Sequence, residues 1–194
     1  MKLEPQILEN LFVRLEPMTA AHRDGLEAAV NLDAPFFAEL YPYSWAGEHF
    51  TPTWDKLMGD TAKGHTQAYA VIAGGEVVGI TTFYGIDPPN ASLEVGGTFY
   101  RPDARGAAVN PAAKRLMMTH AFESGARRLV YRVDALNARS RAAVTKLGAV
   151  QEGILRQDRV TWTGRIRDTV IFSILEGEWP AVRAKLDDRL LAFA

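Results

Sequence analysis

LEVGGTFYRPDARGAAVNPAAKRLMMTHAFE, residues Leu93 to Glu123, is the stretch on which the fold turns. Its opening alternates like a strand, with Leu93 and Val95 on one face and Glu94 on the other. Its close is a helix whose apolar positions Val109, Ala112, Ala113, Leu116, Met117 and Ala121 recur at helical spacing. Asn110 is placed to cap that helix, Pro111 to open it and Gly125 to end it. Between strand and helix lies RGAAVN, Arg105 to Asn110, which is almost bare of side chains. The first N–H groups of a helix have no internal partner, and the helix dipole adds to their pull on an anion. Gly106, Ala107 and Ala108 would let a phosphate approach the main chain, and Arg105 would add a charge-assisted contact.

The rest of the chain is read outward from this corner. Gly74-Gly75 separates two runs rich in Val, Ile and aromatics, the signature of a tight hairpin. Pro88 to Asn90 makes the next turn and Ala91 to Tyr100 the third strand of a meander. Upstream, Leu11 to Pro17 reads as a first strand, and a helix capped by Thr19 follows to about Ala28. Residues 32 to 66 are aromatic and interrupted by proline, with a short helix in TWDKLMGDTAKG. Downstream, Arg127 to Leu136 reads as a strand and Ala138 to Leu147 as a helix closed by Gly148. AVQEGILRQ and RIRDTVIFSI are two strands joined near Thr163-Gly164. The tail is amphipathic, with Val182, Leu186, Leu190 and Leu191 on one side. The whole, residues 1 to 194, reads as a single α/β domain: one mixed sheet with helices on both faces.

Composition narrows the chemistry. The chain of 194 residues has 22 basic and 23 acidic side chains, a formal net charge of -1, which gives no general attraction to nucleic acid or acidic membrane. There is no cysteine, so disulfides, a thiol nucleophile and thiolate metal sites are excluded. The histidines, His22, His49, His65 and His120, lack ligand spacing, and no metal is expected. Acidic residues and a proline break the amino-terminal stretch, and no run approaches the ~20 apolar residues of a membrane span. The expected location is the cytoplasm.

The ordered combination of EVVG, the Leu93–Glu123 stretch, RVDALNARSRAAVTKLGAVQEGILR and RDTVIFSI resembles the GCN5-related N-acetyltransferase (GNAT) superfamily. Within it, the chain is similar to the ribosomal-protein-alanine acetyltransferase branch. The resemblance runs from about Leu11 to Trp179. It implies the acyl-CoA N-acyltransferase fold: a mostly antiparallel mixed sheet of about seven strands, splayed between the fourth and fifth. It also implies acetyl-CoA as co-substrate, its pyrophosphate over the turn formed by Arg105, Gly106, Ala107, Ala108, Val109 and Asn110. Ala108 stands where the family usually has glycine. It costs little if the backbone there is helical, and about 1 kcal/mol if it is left-handed.

The same resemblance assigns further roles. The pantetheine arm would lie along the strand at Val95, Gly96 and Gly97, a pair of glycines that also suggests a bulge. A main-chain N–H there would polarise the thioester carbonyl. Glu94 becomes the candidate general base and Ser140, in the NARS segment, the candidate acid for the departing thiolate, with Asn137 also near the cofactor. From the residues alone, Glu94 could equally be a solvated sheet residue. Asn137 could be only a helix cap, and Ser140 only a core serine beside Ala143 and Leu147. Phe37, Tyr41, Tyr43 and Trp45 are candidates to line an acceptor pocket, or to form a lid on the core. Asp33, Glu39 and Glu48 could attract a cationic amine. The expected reaction is direct transfer of acetyl to an amine-bearing acceptor, a peptide amino terminus or a small molecule. Two alternatives stand beside it: a catalytically silent CoA-binding module, and an unrelated interaction domain. The carboxy-terminal strand and tail are compatible with a homodimer.

Overall fold

The computed structural model describes residues 1 to 193. Eight strands form one sheet in the order β1-β2-β3-β4-β5-β6-β8-β7. They are β1 (Leu8–Glu9), β2 (Arg14–Pro17), β3 (Thr66–Ala73), β4 (Glu76–Asp87), β5 (Ser92–Tyr100), β6 (Arg128–Asp134), β7 (Val150–Val160) and β8 (Ile166–Leu175). Every neighbouring pair is antiparallel except β5 with β6. The eighth strand, beyond the seven expected, is the two-residue β1. Among the described residues the α-helices are α1 (Arg23–Asn31), α2 (Phe36–Leu40), α3 (Phe50–Ala62), α4 (Val109–Glu123), α5 (Ala138–Leu147) and α6 (Trp179–Leu191).

Two apolar cores occupy the two faces of this sheet. On one, α4, α5 and α6 pack over Leu15, Tyr69, Phe83, Leu93, Val95, Leu129, Tyr131, Val170 and Phe172. On the other, Leu26, Val30, Phe37, Trp45, Phe50, Trp54 and Leu57 from α1 to α3 pack over Ala68, Ala70, Ile80 and Phe99. The alternation of strand residues between the two cores sends Glu94 to the α1–α3 face, because Leu93 and Val95 belong to the α4 face. Within the described residues no helix is long and apolar enough to cross a membrane.

Local rules placed most boundaries, and where they failed a side chain explains why. The hairpin turn Gly74-Gly75 has both residues at positive φ, as a two-residue primed turn requires. α5 runs from Ala138 to Leu147 as read, with the Asn137 side chain accepting from the Ser140 N–H at 2.9 Å. The strand expected over Leu11 to Pro17 is β2 and starts at Arg14, because the Asn10 carboxamide oxygen takes the N–H groups of Phe12 and Val13 and holds a turn after β1. In the tail, Val182 and Leu186 are buried, but Leu191 is 72% exposed and outside the core.

Candidate active site

The corner after β5 is built by one glycine. A 3-10 turn at Pro102–Ala104 leads to extended Arg105, and Gly106 then reverses the chain at φ 79°. From Ala108, at φ -65° and ψ -21°, the backbone is already helical. α4 therefore begins before Asn110, which is not the cap, and Pro111 falls inside the first turn, where its missing N–H costs nothing. The helical geometry also disposes of the strain that alanine at 108 would bring in a left-handed turn. The result is a row of donors. Among the described residues, the N–H groups of Gly106, Ala107, Ala108, Val109 and Asn110 meet no acceptor.

Arg105 does not join them. Its guanidinium donates to Asp33 Oδ2 at 2.6 Å and to the Tyr100 carbonyl at 2.7 Å, and it stacks on Phe36 and Phe99. The side chain fastens the corner to the segment between α1 and α2. Of this guanidinium, expected to contact a phosphate, Nη2 is left without a partner among the described residues, and Asp33, expected to attract an amine, is paired with Nη1.

Beside the corner the sheet opens. β5 and β6 pair only at Ser92 with Arg128, Leu93 with Leu129 and Glu94 with Val130. Pairing stops there, although β5 continues to Tyr100 and β6 to Asp134, so the edge of β5 past Glu94 has no strand partner. β5 also bulges. Gly96 pairs with Thr82 and Phe99 with Ile80, which leaves one extra residue on β5. Gly97 absorbs it at φ 56°, and an added Cβ there would meet the Tyr84 hydroxyl at 2.3 Å. Gly97→Ala is therefore expected to cost about 1–3 kcal/mol, from the positive φ and the clash together. Urea unfolding in a Tyr84→Phe background should recover part of that loss, and an undiminished loss there would assign it to the backbone alone.

Glu94 lies opposite Tyr84 across β4 and β5. Its Oε2 is 3.3 Å from Nε of Arg132, on β6. Burial raises the Glu94 carboxyl above the ordinary range, and Arg132, Arg159 and Arg167 pull it back only in part. The Tyr84 hydroxyl is 2.9 Å from that of Tyr43, and the Tyr41 hydroxyl donates to the carbonyl of Thr98, in the bulge. Burial pushes all three phenols up, which keeps them protonated. Tyr41 and Tyr43 thus lie beside the bulge and Tyr84, on the same face as Glu94. Phe37 and Trp45 do not: they are 0% and 1% exposed, in the middle of the second core.

The tip of the β7–β8 hairpin closes one end of this space. The Trp162 backbone N–H donates to Pro42 O at 3.2 Å and its indole N–H to Phe37 O at 3.0 Å. On the other face, Ser140 sits in α5 with its hydroxyl making no hydrogen bond among the described residues. Its buried neighbours are Val144 and Leu147, while Ala143 is exposed. Glu94 and Ser140 are thus on opposite sides of the sheet, with the unpaired gap between β5 and β6 separating them. Tyr84 and Arg132 were missed by sequence reasoning. Counting back across the Pro88–Asn90 turn could have placed Tyr84 opposite Glu94. Arg132 needs the register of a parallel pair, which carries no local signal.

The sequence matches the family model for the Acetyltransferase (GNAT) domain over residues 13–150. The chain belongs to the GNAT acetyltransferase family. Solved structures agree with this. A GCN5-related N-acetyltransferase from Brucella melitensis superposes with a TM-score of 0.86 at 33% identity, over 95% of this chain and 85% of that one. RimJ from Mycobacterium smegmatis, solved in complex with CoA-disulfide, shares the fold at TM-score 0.82 and 20% identity, over 95% of each chain. A Salmonella typhimurium acetyl transferase, described as modifying the N-terminal serine of ribosomal protein L7/L12, shares it at TM-score 0.78 and 18% identity, over 88% of this chain and 99% of that one. No curated protein matches the chain. GNAT acetyltransferases use acetyl-CoA.

Proposed function

We propose that this GNAT acetyltransferase transfers the acetyl group of acetyl-CoA directly to a primary amine, with Glu94 as general base. One observation carries the reading: five consecutive main-chain N–H groups, Gly106 to Asn110, stand without an acceptor at the start of a 15-residue helix beside an unpaired strand edge. A diphosphate satisfies such donors, and a peptide-like arm satisfies such an edge. Acetyl-CoA supplies an acetyl thioester already activated for attack.

The chain's own residues do the rest. The donors of Gly106 to Asn110 fix the cofactor's anionic end and the β5 edge at Val95 to Gly97 aligns its arm, with Asn137 and Ser140 on the α5 side. Glu94 takes the proton that an ammonium acceptor must lose to become a nucleophile. A free N–H in the bulged stretch stabilises charge developing on the carbonyl oxygen. The Ser140 hydroxyl donates toward the departing thiolate, a fair leaving group that asks little of it. Tyr41, Tyr43 and Tyr84 wall the acceptor space, and holding amine and thioester together provides much of the acceleration. The acceptor of this reading is the amine of a peptide amino terminus, the group that the Salmonella enzyme modifies, or of a small molecule.

Thermal unfolding with acetyl-CoA tests the binding half. At 100 times the dissociation constant the stabilisation should be about 2.7 kcal/mol. Thiol release with an amine panel tests the transfer half. Stabilisation without release from any amine would mark a silent CoA-binding module, and no stabilisation would refute both.

A further inference from the structure

Past β5, the α1–α3 face of the sheet carries a charged wall that the transfer step does not by itself need. It adjoins Glu94 and consists of Arg132 and Asp134 on β6, Arg167 and Thr169 on β8, and Asp158 and Arg159 on β7. Their order follows the register, in which Asp134 pairs with Thr169 and Arg159 with Arg167. Hydrogen bonds tie them together. Arg167 Nε donates to Thr169 Oγ1 at 3.0 Å, and that hydroxyl donates to Asp158 Oδ2 at 2.8 Å. Asp158 in turn accepts from Arg159 Nε at 3.1 Å.

The signs of charge are sorted by depth. The Asp134 and Asp158 side chains are only 1% and 15% exposed, turned inward and held by arginines. Those of Arg132 and Arg159 are 37% and 43% exposed. Each of these two spends its Nε on a carboxylate, Arg132 on Glu94 and Arg159 on Asp158, and their terminal Nη groups make no hydrogen bond among the described residues. Two open guanidinium forks therefore stand next to the base, with buried Arg167 behind them. Its outermost unpaired groups are donors that match a carboxylate, which a guanidinium fork grips through paired hydrogen bonds.

We propose that the acceptor carries a carboxylate close to its reactive amine, and that Arg132 and Arg159 hold this carboxylate while Glu94 faces the amine. This rests on the reading of Glu94 as base. The carboxylate has two possible sources, a free amino acid or an acidic side chain next to a peptide's amino terminus, and both offer the same opposite charges a short distance apart.

Matched pairs test it with acetyl-CoA and the full chain. Thiol release is compared for alanine against alaninamide, and for an Ala-Asp amino-terminal peptide amide against its Ala-Asn counterpart. At least one carboxylate should lead its neutral partner by roughly 10–100-fold in kcat/KM, and which pair shows the gap identifies the source. In Arg159→Met the lead should collapse through KM, and Arg159→Lys should keep part of it. Equal rates within both pairs, or a lead that survives Arg159→Met, overturns the proposal. Calorimetry of N-acetylalanine against N-acetylalaninamide, and of the two acetylated peptides, on the CoA-saturated protein gives the same comparison without turnover. The anion site is thus decided even if no amine releases thiol, a result that would sink the transfer reading instead.

Discussion

Glu94→Gln should lower acetyl transfer by about 10²–10⁴-fold in kcat, the range that a positioned general base supplies. The amide keeps the shape of the side chain opposite Tyr84 and cannot take a proton. A purely structural carboxylate could give some loss, so the pH profile decides. The Glu94 carboxyl is raised by burial and pulled partly back by Arg132, Arg159 and Arg167. Its base form is therefore lost as pH falls through an apparent pKa above the ordinary 4.5. In the wild type kcat/KM should fall tenfold per pH unit below that point, and in Glu94→Gln the residual rate should have no such limb. Removing the nearest cation, in Arg132→Met, should move the limb upward. A limb that persists in the glutamine variant at its old position assigns the proton transfer to another group.

The sequence was most legible where a single residue's chemistry decides an element. Gly74-Gly75 could hardly be anything but a turn, and Asn137 with Gly148 marked both ends of α5 to the residue. At the corner from Arg105 to Asn110, the lack of side chains marked a bare turn, and its main-chain donors are indeed open among the described residues. Its details escaped because Gly106, not Asn110, sets where the helix starts. Composition says nothing of direction. Arg105 looked like a phosphate ligand, and only the three-dimensional position of Asp33 and Phe36 reveals where its guanidinium goes. Phe37 and Trp45 could not be told from Tyr41 and Tyr43 by sequence, because all four are aromatic and lie within a few residues. The fold separates them: the two without a hydroxyl are core, and the two phenols reach the bulge and Tyr84. The arginine wall was invisible for a related reason. Its members come from three strands, and they meet only through the β6–β8 register and a β7–β8 register interrupted by bulges.

Lys114→Met should make the protein more stable at neutral pH, and this gain should fade as the solution becomes alkaline. Lys114 is 6% exposed, on the inward side of α4. Its ammonium reaches Thr98 Oγ1 at 2.7 Å and Thr81 Oγ1 at 3.2 Å, with Met117 Sδ accepting from Thr81 behind them. No carboxylate from α4, β4 or β5 pairs with it among the described residues. Glu94 lies on the far face of the sheet, beside Arg132. Burial without a counter-charge pulls its pKa from 10.5 down to about 7. The unfolded chain keeps the ordinary value, so between those two pH values it binds the proton more tightly than the folded chain does. The penalty is then full at and below pH 7, shrinks as pH rises, and is gone above about 10.5. A shift of that size represents several kcal/mol. The lost hydrogen bonds to two threonines offset roughly 1 kcal/mol each. A net gain of about 2 kcal/mol should remain at pH 7, raising Tm by about 5 °C for a chain of this length. Chemical unfolding of both proteins from pH 6 to 10 is the measurement. A difference that stays constant over that range means packing, not ionisation, separates the two. A loss of stability at pH 7 means that two hydroxyls alone suffice to solvate the ammonium, in which case its charge helps hold α4 against the bulged strand.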